Sequence, residues 1–287
     1  MLMASNMRAV KLRIKSIENT MQITKAMELV AASKLRKAKE RAEKCRPYYN
    51  VLYQALAGIA AGNRDFISPY VREKEGGTWC YVVIAGDRGF AGGYNNNLFK
   101  CMEREAKGKE ICVLPIGKKT AEYCRRKNIR MITEEFIEAG AISVADCFQI
   151  SRILCTSYCE KEISHISICY TRFNNMLSQV PHTDDVLPLT ELKLPEDEDP
   201  SKYGQILYEP SGSEVFDVIV PEYLAGLIYG AMSESVASEQ ASRRMVMDAA
   251  TKNAGEMIED LNLYYNRVRQ AGITQEISEI VGGAEGG

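Results

Sequence analysis

The stretch with the clearest potential for chemistry is a glycine-rich segment, Gly86-Asp87-Arg88-Gly89-Phe90-Ala91-Gly92-Gly93, which directly follows a short apolar run. Dinucleotide-binding proteins place their phosphate-binding loop at this position. The glycines here have the spacing Gly-x-x-Gly-x-x-Gly, and no Gly-Lys-Ser/Thr occurs in the chain. We interpret the segment as a tight strand-to-helix turn in which Asp87 and Arg88 pair with each other or face a protein partner. A nucleotide-binding enzyme remains the alternative.

Side chains for nucleophilic or metal chemistry are few. The two histidines, His165 and His182, do not accompany a recognisable nucleophile elbow. The nine cysteines are an odd number without a Cys-x-x-Cys pair, which indicates reduced, packed thiols. Cys155 and Cys159 lie one helical turn apart, but only the two histidines could complete a zinc site with them. We predict no catalytic residue, no metal and no cofactor.

The charges are distributed unevenly along the chain. Residues 1–50 carry twelve Lys/Arg against four Asp/Glu, a net charge of +8, and residues 213–287 carry twelve Asp/Glu against five Lys/Arg, a net charge of −7. The two ends are therefore predicted to attract each other. A nucleic-acid-binding arm is the alternative for the basic end, but no aromatic residue interleaves with its charges up to Cys45 and the chain pI is about 5.9.

No run of about 18 apolar residues is present, so no segment is predicted to span a bilayer. The cationic N-terminus is not followed by an apolar core of the signal-peptide type. We expect the chain to stay in the cytosol.

The N-terminal segment predicts a long helix. From Asn6 to about Cys45 it has no Gly or Pro, and small or apolar residues recur at spacings of three and four, as in a coiled-coil seam. These seam residues are Val10, Ile14, Ile17, Met21, Thr24, Met27, Ala31, Leu35, Ala38 and Ala42. One amphipathic helix lying on a globular core is the alternative. Pro47 is predicted to break or kink the helix, which resumes over residues 51–61.

The C-terminal segment, from about Pro221 to Val281, predicts a second long helix. Its apolar stripe comprises Met247, Ala250, Ala254, Ile258, Leu261, Tyr265 and Val268. At about 1.5 Å per residue, a helix of about 60 residues is roughly 90 Å long. Such a helix cannot bury itself against one compact core, so it requires a second long helix, surrounding partner protein, or both.

Between the two helices the pattern alternates between strands and helices. Strands are predicted over 79–85, 111–116, 166–170 and 180–187, and helices over 96–107, 118–127 and 143–160. This alternation is typical of an α/β domain. We expect an N-terminal helix over 1–61, a linker over 62–77, the α/β domain over 78–190, a linker over 191–212 and a C-terminal helix over 213–287.

Motifs along the whole chain occur together in one known family. At the N-terminal end they are Ile17-Glu18-Asn19-Thr20 and the run from Gln22-Ile23-Thr24-Lys25-Ala26-Met27 to Leu35. In the middle they are Asp87-Arg88-Gly89, Gly92-Gly93-Tyr94-Asn95 and Tyr208-Glu209-Pro210. In the last helix they are Ala237-Ser238-Glu239, Ala250-Thr251-Lys252-Asn253-Ala254, Tyr265-Asn266, Arg269-Gln270-Ala271, Ile273-Thr274-Gln275-Glu276 and Glu279-Ile280-Val281. With these motifs in order, the sequence resembles the gamma subunit of the bacterial-type F-type ATP synthase.

This resemblance implies a fold and a role. The fold is a long antiparallel two-helix coiled coil with an inserted Rossmann-like α/β domain. The implied role is a non-catalytic rotor subunit, one copy per complex, that transmits torque between the membrane c ring and the ring of alpha and beta subunits. The expected partners are the alpha, beta, epsilon and c subunits, and the expected location is the cytoplasmic face of the cell membrane. A free-standing coiled-coil scaffold is a further alternative.

The resemblance also assigns contact residues. Arg269, Gln270 and Thr274 match family positions that hydrogen-bond a loop of one beta subunit, and Met27 matches a shaft position close to the beta subunits. The alternative for Met27 is an ordinary seam residue. Tyr208 and Glu209 match positions that contact the c ring and epsilon. Ile206, two residues earlier, stands where some relatives have another tyrosine.

Three features depart from the family pattern. Gly272 lies inside the last helix, where glycine costs up to about 1 kcal/mol relative to alanine. The chain ends in Gly282-Gly283-Ala284-Glu285-Gly286-Gly287, so we expect the helix to fray beyond Val281. The interval before the last helix lacks the cysteine loop of the chloroplast branch, so thiol control of that kind is not expected.

Overall fold

A computed structural model describes residues 2–62, 66–72, 74, 76–135, 137–194 and 206–285. Along the chain, one long helix precedes and another follows a series of shorter helices and strands. In chain order these are α1 (Leu2–Gly62), β1 (Trp79–Ile84), α2 (Tyr94–Glu105), β2 (Ile111–Ile116), α3 (Lys118–Lys127), α4 (Val144–Cys159), β3 (His165–Phe173), β4 (Gln179–Leu187) and α5 (Gly212–Glu285).

The helices and strands predicted from the sequence are present. Two details differ from the prediction: the effect of Pro47 on α1 and the end of α5. Pro47 lies inside α1 and does not end it, since the helix runs without interruption to Gly62. The expectation that α5 frays beyond Val281 is wrong, because the helix continues to Glu285. Glycine raises the cost of helical conformation but does not forbid it, so Gly282 and Gly283 are compatible with this extension. Residues 286–287 lie outside the described part of the chain.

The chain divides into two compact units. Unit 1 comprises Met1–Ala32 and Arg243–Gly287, and unit 2 comprises Ser33–Ser242.

Unit 1 is an antiparallel pair formed by parts of α1 and α5. Glu28 pairs with Arg244, at 3.6 Å between carboxylate and guanidinium, and the Thr24 and Thr251 hydroxyls lie 2.7 Å apart. Residue numbers along α5 therefore rise as those of their contacts along α1 fall, which shows that the two helices are antiparallel. The predicted seam is confirmed, because the seam residues are the buried or half-buried positions on both helices.

Charge complementarity contributes little direct pairing between the helices. Two ion pairs between described side chains of α1 and α5 have opposite polarities. One of them, Arg46–Glu234 in unit 2, has the expected polarity. The other, Glu28–Arg244 in unit 1, has the opposite polarity, with the acid on the basic segment. Small seam residues bring the helices together instead, and in unit 2 Ala38 packs with Ala237 and Ala241.

Unit 2 contains a four-stranded sheet in the order β2-β1-β3-β4. β1 pairs in parallel with both β2 and β3, and β4 pairs antiparallel with β3. Residues of α2 and α3 cover one face of the sheet, and α4 with the unit 2 parts of α1 and α5 covers the other. Because β1 is buried on both faces, its sequence is a continuous apolar run and does not alternate.

One described helix is long and apolar enough to be tested as a membrane span. The region Gly212–Gln275 of α5 contains an 18-residue window with a mean hydropathy of 1.4, of which 56% is buried inside the protein. The sequence pattern had predicted no such stretch. Its apolar residues, among them Phe216, Val220, Leu224 and Ile228, are core residues of unit 2. Their burial accounts for the hydropathy without a bilayer.

Candidate functional site

The end of α5 carries apolar side chains on the face that points away from the seam. Leu263 and Ile277 are 59% and 56% exposed, and they lie seven residues before and after exposed Gln270. An interval of seven residues is nearly two helical turns, so these three positions form one stripe. Ile273 and Val281 are also about half exposed. A two-helix pair in water would have only its seam apolar, so this second stripe indicates a surface that another protein covers.

The part of α1 that belongs to unit 1 shows the same property. Ile23 and Val30 are seven residues apart and 60% and 55% exposed. Leu12 and Leu29 are exposed as well. Unit 1 therefore carries apolar side chains that pairing between its own helices does not cover.

Arg269, Gln270 and Thr274 are all exposed, outside the seam. The Thr274 hydroxyl donates to the Gln270 carbonyl at 3.0 Å, which places the two residues one turn apart on one side of α5. The guanidinium of Arg269 has no ion-pair partner in the described part of the chain. The structure thus brings the three predicted residues to one accessible stretch of helix.

Met27 lies elsewhere. It is half-buried at the margin of the seam, between the buried residues Thr24 and Ala31. Its position agrees with the interpretation as a seam residue, and its proximity to a partner stays a prediction.

A groove between α1 and α5 in unit 1 is lined by cations. Its lining residues are Arg8, Lys11, Leu12, Ile14, Lys15, Glu18, Asn262 and Tyr265, around a volume of about 560 Å³. Within the described chain, Arg8, Lys11 and Lys15 have no ion-pair partner. This end of unit 1 therefore presents positive charge to its surroundings.

Tyr208 and Glu209 lie just before α5. Tyr208 is half-buried against the core of unit 2, and its burial raises the pKa of its hydroxyl. Glu209 is exposed. The neighbouring Leu207 is 99% exposed and Ile206 is 47% exposed. Leu207 was not among the residues predicted to contact a partner, although Ile206 and Leu207 form an apolar pair outside the predicted helices and strands, which was a visible signal.

The glycine-rich segment is occupied by contacts within unit 2. Asp87 Oδ1 accepts hydrogen bonds from the backbone N–H groups of Lys118 and Ala139, at 3.0 and 3.3 Å. Its other oxygen accepts from Gly140 N–H at 3.3 Å. Asp87 thus joins its own turn to two other backbone segments, one at Lys118 and one at residues 139–140, and no pair with Arg88 is present in the described structure. Of the two alternatives given for these residues, pairing with each other is wrong, and a contact with a protein partner stays a prediction.

The same segment is joined to α5. The Ser242 hydroxyl donates to the Ala91 carbonyl at 2.8 Å, and a Cβ added at Gly86 would lie 2.7 Å from Glu239 Oε1. A side chain at position 86 would therefore require the Glu239 side chain to move, so the turn and α5 approach each other closely here. These contacts assign structural roles to Gly86, Asp87 and Ala91, and no observation on the described residues favours a nucleotide site.

The described contacts of the histidines and cysteines do not form a recognisable catalytic arrangement. His182 Nε2 lies 2.7 Å from Asp184, and His165 stacks on Trp79 with ring centroids 3.9 Å apart. All nine cysteines are free thiols, and only Cys159 is exposed. Among the described side chains, no three of His, Cys, Asp or Glu are grouped as a metal ion would require.

Comparison with known proteins identifies relatives over nearly the whole chain. The family model described as ATP synthase matches residues 6–286. The ATP synthase gamma chain of Ruminococcus albus is 42% identical over 281 residues, covering 96% of each chain. That of Ruminiclostridium cellulolyticum is 43% identical over 290 residues, covering 98% of this chain and 99% of the relative.

A solved structure gives the same fold. A chain in the cryo-EM structure of the Euglena gracilis mitochondrial ATP synthase, which includes F1 and the c-ring, aligns with a TM-score of 0.69. The match is 18% identical and covers 98% of this chain and 94% of that one.

Proposed function

The chain belongs to the ATP synthase gamma-chain family, and on that basis we propose that its exposed apolar and charged surfaces are contacts with the other subunits. The chain is the non-catalytic rotor subunit of the central stalk. It works with the alpha/beta ring and the membrane c ring to couple ion translocation to ATP synthesis or hydrolysis. An enzyme with its own nucleotide site and a free-standing scaffold are not favoured.

The proposed contact with the beta subunits lies on the outward side of α5. The second apolar stripe of Leu263 and Ile277 is the observation that carries this assignment, because it needs a cover that unit 1 does not supply. Gln270 lies in the stripe, Arg269 and Thr274 stand beside it, and the three supply hydrogen-bonding groups for a loop of one beta subunit. Exposed polar groups beside an apolar strip are typical of specific interfaces.

Charge supports the same placement. The groove cations Arg8, Lys11 and Lys15 lack ion-pair partners in the described chain and provide a positive field for acidic surfaces of the surrounding ring. Met27, at the margin of the seam, is proposed to approach the beta subunits through its half-exposed side.

The surface proposed for the c ring and epsilon comprises Ile206, Leu207, Tyr208 and Glu209. Leu207 is almost fully exposed, and Tyr208 is held against the core of unit 2 so that the segment has a defined position. An aliphatic residue at position 206 leaves the hydroxyl of Tyr208 as the one phenolic contact of this segment.

The mechanism is a linkage between orientation and affinity. A rotor whose sides differ contacts each beta subunit differently in each orientation, so it shifts the equilibrium between that subunit's conformations. Outward residues such as Gln270 and Ile277 occupy one side of α5 only, which supplies such an asymmetry.

The chain is part of the F1 sector of the membrane-associated complex. We propose that it lies on the cytoplasmic face of the cell membrane and meets the membrane only through the c ring, as one copy per complex. We also propose the division into an N-terminal helix over 1–61, an α/β foot over 78–190 and a C-terminal helix over 213–287, with linkers between them.

The beta contact is tested by Arg269→Ala and Gln270→Ala in the assembled complex. Both variants are expected to weaken assembly or to lower coupled ATPase activity. Arg267→Ala is the matched control, because Arg267 is an exposed arginine two residues away to which no contact is assigned. The assignment would be refuted if Arg267→Ala and Arg269→Ala had equal effects. It would also be refuted if neither Arg269→Ala nor Gln270→Ala had an effect.

A further inference from the structure

A cavity in unit 2 lies where α1, α4 and α5 meet. Its volume is about 380 Å³, which is within the range of small-molecule sites. Most of its wall consists of apolar or aromatic side chains from the three helices: Tyr48, Val144, Phe148, Ala225 and Tyr229. Val144 and Tyr48 are 49% and 44% exposed, so part of this apolar wall is open to solvent. None of the residues that line the cavity belongs to the contact surfaces proposed above.

The cavity is preformed, because contacts within unit 2 hold its walls in place. The Cys45 thiol donates to the Gly226 carbonyl at 3.5 Å, and the Tyr48 hydroxyl donates to Glu222 Oε2 at 3.3 Å. A Cβ added at Gly226 would lie 3.1 Å from Tyr48 Cδ1, so α1 and α5 are in close contact beside the cavity. Phe148 packs against the hydrophobic core of unit 2. A ligand therefore enters space that already exists, which lowers the cost of binding.

Two cations line the cavity together with the apolar side chains. Arg41 and Lys44 are both exposed, and neither has an ion-pair partner in the described part of the chain. The neighbouring acids of α1 are already paired, since Glu40 and Glu43 each contact a base one turn earlier on the same helix. Of the described residues that line the cavity, none is acidic. The site thus combines an apolar wall with uncompensated positive charge.

The charged and apolar parts of the site are separated along α1. Arg41 and Lys44 precede Tyr48 by seven and four residues, which is about two turns and about one turn of helix. Cys45 lies between them, and burial raises the pKa of its thiol, so this group is uncharged at neutral pH. At the other end, the carboxylate of Glu222 accepts the hydrogen bond of Tyr48. A ligand with one anionic group is therefore oriented with that group toward Arg41 and Lys44.

We propose that this cavity binds an amphipathic organic acid, a free medium-chain fatty acid, whose carboxylate lies at Arg41 and Lys44 and whose hydrocarbon chain packs between α1, α4 and α5. Charge complementarity selects this class of ligand, because a cationic amphiphile meets two like charges and a small polar anion leaves the apolar wall in water. Each methylene that the wall removes from water strengthens binding about fourfold.

The test uses the purified F1 sector, which contains the full chain, in a buffer without detergent. Cys45 lines the cavity, so its rate of alkylation by iodoacetamide reports on occupancy. Increasing decanoate is expected to slow this reaction in a saturable manner and to leave the alkylation of exposed Cys159, outside the cavity, unchanged. Octanoate is shorter by two methylenes and is expected to bind about 15-fold more weakly.

Variants separate the contribution of charge from that of the apolar wall. Arg41→Gln combined with Lys44→Gln is expected to raise the Kd of decanoate about threefold to tenfold. Protection by decanol, which has the same chain and no charge, is expected to stay unchanged in this variant. Lys100→Gln combined with Lys107→Gln removes two exposed lysines of unit 2 outside the cavity and is the matched control.

Val144 provides a second variant that keeps the fold. Val144→Asp is expected to abolish protection by decanoate, because it places an acid in the wall of the cavity. The chain should still fold, since Val144 lies in the first turn of α4, where an acidic side chain is favourable. Val144→Leu keeps the wall apolar and is expected to retain protection.

Three results would overturn the proposal. The first is alkylation of Cys45 that does not depend on decanoate, which is the outcome expected if a partner subunit covers the cavity. The second is equal slowing at Cys159, which would show adsorption over the whole surface and not binding at this site. The third is equal protection by decanoate and by decyltrimethylammonium, which would show that Arg41 and Lys44 do not select an anion.

Discussion

The side-chain oxygens of Thr24 and Thr251 lie 2.7 Å apart in the seam between α1 and α5. Each hydroxyl also lies within 3.0 Å of a carbonyl of its own helix, Met21 for Thr24 and Met247 for Thr251. Two hydroxyl protons cannot fill three hydrogen bonds, so one of the hydroxyls must donate across the seam and leave its own carbonyl. Either hydroxyl can be the donor in this contact, so the hydrogen bond across the seam has two alternative directions.

This arrangement predicts a non-additive pair of substitutions. Thr24→Val or Thr251→Val alone is expected to lower the free energy of unfolding by about 1–2 kcal/mol, because the remaining hydroxyl loses its partner across the seam and keeps only the carbonyl of its own helix. The double variant is expected to cost clearly less than the sum, since two groups of similar shape then pack without an unpaired polar atom. Chemical denaturation of the four proteins of the double-mutant cycle measures this coupling, and strict additivity would contradict it.

Gly272 continues the seam of α5, four residues after Val268, and a Cβ at this position would meet nothing within 4 Å. Gly272→Ala is therefore expected to stabilise the helix by about 0.5–1 kcal/mol. Amide hydrogen exchange measures this effect. Exchange in residues 268–281 is expected to become slower, and assembly of the complex is expected to stay normal.

Gly255→Ala and Gly117→Ala are the controls for this prediction. Gly255 is equally open and should respond as Gly272 does. At Gly117, φ is +87° and a Cβ would lie 2.1 Å from the Ala85 carbonyl oxygen, so Gly117→Ala should destabilise unit 2. A destabilised Gly272→Ala chain would show that the position has a neighbour that only glycine accommodates.

Substitutions on the two sides of α5 should have different consequences. Ile277 is 56% exposed and faces outward, so Ile277→Gln is expected to leave the stability of the chain nearly unchanged and to weaken its assembly with the alpha/beta ring. Val268 is half-buried in the seam, so Val268→Gln is expected to destabilise the helix pair itself. Thermal unfolding of the full-length chain and pull-down of alpha and beta subunits distinguish the two effects. Normal assembly of Ile277→Gln would contradict the covered stripe.

Asp217 provides a pH-dependent contribution in unit 2. Burial raises the pKa of its carboxyl, although the Ser68 hydroxyl donates to Oδ1 at 2.6 Å. Because the folded chain binds this proton more tightly than the unfolded chain, stability falls as pH rises from the unfolded pKa through the folded one. Asp217→Asn keeps an acceptor for Ser68 and is expected to remove that fall and to stabilise unit 2 slightly at pH 7.

The measurement is urea denaturation between pH 3 and pH 7 for the wild type and Asp217→Asn. Asp146 is a suitable control, because its pKa is lowered by hydrogen bonds from Ser143 at the start of α4. Asp146→Asn should therefore lose stability at neutral pH. A wild-type profile identical to that of Asp217→Asn would refute the role assigned to Asp217.

The sequence by itself determined the helix pair and most of the elements between its two members. The seam of α1 was visible from Val10 to Ala42 because burial of one face requires apolar residues at helical spacing. β2 and α3 occupy the ranges predicted for them, since short apolar runs between turn residues specify such elements strongly. The family resemblance then supplied the rotor role and the positions of Arg269, Gln270 and Thr274.

Only the tertiary structure decided how particular polar and glycine residues are used. Asp87 accepts three backbone hydrogen bonds from segments more than 30 residues away, so no local pattern could separate that role from a pair with Arg88. The opposite charges of the two ends suggested ion pairing, yet alanines and a threonine pair hold the seam. Charged side chains are more stable in water than in a narrow seam, and only the packing of the helices shows which residues lie there.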